Sequence, residues 1–98
     1  GEIVKAISVV NKEQVLAFDF ATMQGNSIEE TITLHTAILK ALVILSNSYT
    51  FTIVKLLNCK SLTAEYLCQI LMNGGKEVVQ LHLEGQEIEW LQIKFEIL

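Results

Sequence analysis

The stretch Ser27-Ile28-Glu29-Glu30-Thr31-Ile32-Thr33-Leu34-His35 decides how this chain folds, because two secondary structures compete for it. Ser27 followed three residues later by Glu30 is the pattern of a capping box, in which a serine oxygen and a carboxylate each satisfy an orphaned N–H at a helix start. On a helical wheel Ile28, Ile32, Leu39, Leu42 and Val43 form one stripe, Leu34, Ile38 and Leu45 widen it, and Glu29, Thr33, Thr36 and Lys40 fall opposite. This reading predicts a helix from Ser27 with a wide, deeply buried stripe. In the competing reading Glu29 to Leu34 is a strand, as the β-branched Thr31-Ile32-Thr33 favours, and the helix starts at His35. The first places His35 more than two turns inside a helix and on its buried side; the second places it at a helix N-terminus.

Outward from this stretch, Ile3 to Val10 is rich in β-branched residues, and Gln14 to Phe20 alternates with Leu16, Phe18 and Phe20 on one face. Two strands joined at Asn11-Lys12-Glu13 would make an opening hairpin. On the other side, Thr50 to Leu57 reads as a strand and Asn58-Cys59-Lys60 as the turn after it. A second helix is expected from Leu62 to Met72, with Ala64, Leu67, Cys68 and Leu71 at helical spacing and Asn73-Gly74-Gly75 as a left-handed C-cap. Val78 to Leu83 alternates again, turns near Gly85, and leads to Ile88 to Leu98, where Leu91, Ile93, Phe95 and Ile97 keep a period of two. The expected order is β-β-α-β-α-β-β. It corresponds to an α+β, open-faced sandwich in which two helices cover one face of a four- or five-stranded, mostly antiparallel sheet.

The 98 residues suffice for one domain, expected to span 1–98, and 51% of them are apolar, which leaves material for a subunit interface. A homodimer is therefore expected. Seven lysines face eleven carboxylates for a net charge of −4, with no basic patch, so neither nucleic acid nor an anionic membrane is an expected partner. The chain has no arginine, which removes the bidentate fork common at phosphate and carboxylate sites. Cys59 and Cys68 fit no C-x-x-C spacing, no apolar run is long enough to cross a bilayer, and no leader opens the chain, so a reducing cytoplasm is the expected setting.

No phosphate-binding glycine loop, dinucleotide fingerprint, H-E-x-x-H or G-x-S-x-G occurs, and neither a cofactor nor a metal site is expected. His82 falls on the polar side of its strand and reads as surface. Asp19, between Phe18 and Phe20, is a carboxylate without an identifiable partner and is expected on a solvent face. Cys59 beside Lys60 has a cation that would lower a thiol pKa, but a structural cysteine is the preferred reading. His35 is the candidate reactive group.

From His35 through the second helix the chain resembles the bacterial histidine phosphocarrier family known as HPr, of the sugar phosphotransferase system. Leu34-His35-Thr36 is similar to the opening of that family's active-site helix. The resemblance continues through Tyr49-Thr50, Ile53, Asn58-Cys59-Lys60-Ser61 and Leu62-Thr63-Ala64-Glu65-Tyr66-Leu67 to Glu84-Gly85, about half of the chain. It implies that His35 carries a phosphoryl group at a helix N-terminus, and that the partners are phosphotransferase components. Ala37 and Ile38 stand where that family has arginine and proline, and Tyr66 where many members have a regulatory serine. A second reading, independent of the resemblance, is a non-catalytic regulatory or assembly domain that dimerises through its sheet edge or through Ile88 to Leu98. A small-molecule enzyme ranks third, because no set of acid, base and nucleophile converges.

Overall fold

The strand pattern of Leu16 and Phe18 is realised as β1, Val15–Asp19, followed by a 3-10 turn at Phe20–Thr22, in a computed structural model that describes residues 14–74 and 78–86. The remaining elements are α1 (Ile28–Ser46), β2 (Ile53–Leu57), α2 (Ala64–Asn73) and β3 (Gln80–His82). The strands form one sheet in the order β1-β2-β3, and both pairs are parallel, with Leu16 opposite Val54 and Val54 opposite Leu81.

This overturns the expected four- or five-stranded, mostly antiparallel sheet: among the described residues three parallel strands alternate with two helices. Period-two alternation identifies a strand but says nothing of its direction. The antiparallel expectation rested on a hairpin at Asn11-Lys12-Glu13, whereas β1 pairs across α1 with β2. That turn, the expected strand Ile3 to Val10 and the expected strand Ile88 to Leu98 lie outside the described residues. Parallel neighbours need a crossover, and each of the two connections contains a helix. Two right-handed crossovers that step the same way across a sheet put their helices on one face, and α1 and α2 do pack together.

The bounds shift modestly elsewhere. β2 begins at Ile53 rather than Thr50, because the Thr52 N–H donates to the Gln14 carbonyl at 2.9 Å and opens the pairing. α2 starts after Thr63, whose side chain accepts from the Tyr66 N–H, and it buries Ala64, Leu67 and Ile70. The expected left-handed cap is not at Gly74, which has φ −67 and donates to the Ile70 carbonyl at 2.8 Å. Between the helices and the sheet lie Leu16, Phe20, Leu39, Val54, Leu56, Leu67 and Ile70.

In α1 the long-helix reading holds: Ile28 through Ser46 is helical, including Thr31 to Leu34. The Ser27 side chain accepts from the Glu30 N–H at 3.1 Å, and the Thr31 and Thr33 hydroxyls donate to the Ser27 and Glu29 carbonyls at 2.8 and 3.0 Å. Back-bonding to the preceding turn is how a threonine-rich stretch is accommodated in a helix. The buried face, however, is rotated from the expected stripe. Leu39 and Leu42 of that stripe are buried, but Thr31, His35 and Ser46 join them, while Ile28 is 60% and Ile32 40% exposed.

Candidate functional site

The carboxyl ends of β1 and β2 and the first turns of α1 enclose a cleft of about 480 Å³. Crevices at the carboxyl ends of parallel strands are where open α/β sheets bind ligands. Here Phe20 forms the apolar floor, Gln24, Asn26 and Ser27 form one wall, and Asn58 and Lys60 the other.

Asn58 ends β2 in the left-handed region, φ 59, a conformation asparagine tolerates better than most residues. Its N–H donates to the Glu84 carbonyl at 2.9 Å, and its side-chain amide donates to Asp19 Oδ1 at 3.1 Å. The Ala21 N–H donates to the same oxygen at 3.0 Å. These bonds, the Asn58 one first, hold the Asp19 carboxyl below its usual range. Gly85 closes over this corner with φ +77, and a Cβ there would meet Asn58 Oδ1 at 2.2 Å, so only glycine fits. Asp19 is exposed, as expected, but it has two donors and is a corner tie rather than a base.

The α1 N-terminus makes the other wall, and it is capped by its own side chains. Ser27 takes the Glu30 N–H, Glu30 Oε2 accepts from the Asn26 N–H at 2.8 Å, and Thr31 Oγ1 accepts from the Gly25 N–H at 3.0 Å. Gly25 must be glycine, since a Cβ would lie 2.5 Å from that of Glu30. The negative charge that a helix N-terminus favours is supplied by Glu30 itself, an arrangement that repels a phosphate.

His35 lies two turns further along, 1% exposed, at the back of the cleft. Its Nδ1 accepts from the Lys60 N–H at 3.0 Å, and Nε2 lies 2.6 Å from the Met23 carbonyl. An acceptor at Nδ1 leaves the ring proton on Nε2, which donates to Met23. The Phe20 ring stands edge-on, its centroid 5.1 Å from that of His35. The position is therefore inside α1 rather than at its N-terminus, and both ring nitrogens are engaged by main-chain groups.

Cys59 is buried, and desolvation pushes its thiol pKa up, the opposite of activation by Lys60; Sγ lies 3.8 Å from Ser61 Oγ. Its main chain is pinned by Gln86, whose amide, oriented so that donor meets acceptor, takes the Cys59 N–H at 2.6 Å and donates to its carbonyl at 2.8 Å. Cys59 and Cys68 are not joined in a disulfide. His82 is exposed on β3, away from the cleft lining. The structure thus brings His35, Asp19 and the Asn58-to-Lys60 turn to one end of the sheet. The partners of His35 were invisible in sequence because both are main-chain atoms; Asn58 after an apolar strand was the one readable signal.

Among the described residues no group of histidine, cysteine and acidic side chains is placed to hold a metal, and no helix is long and apolar enough to cross a membrane. Comparison with protein-family models, with curated proteins and with solved structures finds no match to the chain.

Proposed function

We propose that the chain is a non-catalytic regulatory or assembly domain that works by binding protein, first of all a second copy of itself, in a cytoplasmic setting. The observation that carries this reading is the number of large apolar side chains that α1 leaves exposed, Ile28, Ile32, Ile44 and Leu45, while it buries Thr31, His35 and Ser46 beside Leu39 and Leu42. Met72, beyond the same helical layer, is 73% exposed. Isoleucine side chains on a charged, soluble surface are stabilised when a partner removes them from water, at about 25 cal/mol per Å².

The phosphocarrier reading has less support. A carrier histidine must offer a ring nitrogen to a donor enzyme, whereas both ring nitrogens of His35 are engaged by main-chain groups and the chain has no arginine. Light scattering on the eluting protein tests the proposal. A dimer that Ile44→Lys converts to monomer, with far-ultraviolet circular dichroism unchanged, is the expected outcome; a monomer over a wide concentration range counts against it. Incubation with the donor enzyme of the phosphotransferase system and labelled phosphoryl donor should leave His35 unlabelled, and label on His35 would restore the carrier.

A further inference from the structure

We propose that His35 is a proton-sensitive strut that sets the separation of the two loops walling the cleft. The ring belongs to α1, but its hydrogen bonds go elsewhere: to Met23, in the connection from β1 to α1, and to Lys60, in the connection from β2 to α2. One ring therefore spans both loops, and its two bonds fix each other's sense. Nδ1 accepts only while it is unprotonated.

A second proton, bound from solvent at Nδ1, sets an N–H against the Lys60 N–H 3.0 Å away. That bond is lost, and the Lys60 main chain must turn from the ring. The Nε2–H bond to Met23 survives, so the change is one-sided: the Asn58-to-Lys60 wall moves while the Gln24-to-Ser27 wall stays. Among the described residues no free carboxylate lines the ring to offset the new charge. Asp19, next to Phe20, is engaged by Asn58 and Ala21; Glu30 is engaged by the Asn26 N–H; Glu29 and Lys40 are on the exposed side of α1. The Lys60 side chain is itself cationic, and the Cys59 thiol, raised by burial, is neutral.

Amide exchange measured against pH tests this, with protection factors correcting for the intrinsic rate. On acidification from neutral pH, protection at the Lys60 amide should fall by about tenfold more than at the Leu67 amide of α2. Nitrogen spectra of the ring should show the Nε2–H tautomer at neutral pH. His35→Gln, which offers an acceptor and a donor without titrating, should abolish the excess loss, and His82→Gln should preserve it. Parallel loss at Lys60 and Leu67, an Nδ1–H tautomer, or excess loss abolished by His82→Gln would each overturn the proposal; the last two remain decisive if His35→Gln does not fold.

Discussion

The helices α1 and α2 pack against each other and against the same sheet, yet they fill their buried faces differently. α2 buries Ala64, Leu67 and Ile70 and keeps its one capping hydroxyl, Thr63, at the end. α1 buries three polar side chains beside Leu39 and Leu42. Each of the three has a main-chain partner: Thr31 reaches Ser27 and Gly25, His35 reaches Met23 and Lys60, and Ser46 Oγ donates to the Val43 carbonyl at 2.6 Å. The difference teaches that a buried helix face follows the groups opposite it. Where loops cross a helix they bring N–H and C=O groups that a polar side chain can satisfy, and burial then costs little.

Breaking the apolar side of that comparison should have the largest effect. Leu67→Ala removes a fully buried side chain and is expected to cost about 3 kcal/mol in urea unfolding, through lost transfer energy and a residual cavity. His35→Leu keeps the bulk but strands the Lys60 N–H and the Met23 carbonyl; a cost of about 2 kcal/mol is expected, and a neutral result would mean that the polar face of α1 is not held by these bonds. Thr31→Val, which removes the acceptor of the Gly25 N–H, should cost about 1 kcal/mol. Ile44→Lys, on the outer side of the same helix, should change monomer stability by less than about 0.5 kcal/mol.

The smallest effect concerns the corner at Asp19. Its native pKa lies below the ordinary 3.8, so its ionised form stabilises the fold above that value. This contribution is lost as pH falls from the ordinary value through the depressed native one. Asp19→Asn should remove that component of acid unfolding and leave stability above it with little pH dependence from this site, which a comparison of urea midpoints across the acid range would show.

What could be read in the residues divides along the same line as the two helices. α2 was legible because Ala64 and Leu67 of its apolar spacing are buried, and the start of α1 was legible because the capping box from Ser27 to Glu30 is a local device. The buried side of α1 was legible at His35, Leu39 and Leu42 but not at Thr31 and Ser46, whose partners are backbone atoms that carry no sequence signal, nor at Ile28, which is exposed despite its place in the stripe. Strand positions near Leu16 and Leu81 followed from alternation and that near Val54 from β-propensity, but their parallel pairing is a long-range property that neither encodes. At the site, Asp19 and Asn58 are adjacent only because β1 and β2 run side by side, 39 positions apart in the chain.

The parallel register carries a kinetic consequence. The Thr52 hydroxyl and N–H that meet the Gln14 carbonyl are 38 positions from it, so no hydrogen bond between β1 and β2 forms until a loop containing all of α1 has closed. Loop-closure entropy is then spent before the β1–β2 pairing returns any free energy, and the rate at which these strands meet depends on how early α1 becomes helical and shortens that loop. Ser27, which starts the helix, should therefore act on the folding limb of a chevron more than on the unfolding limb: the residue that sets the register of α1 would also set the pace at which β1 finds β2.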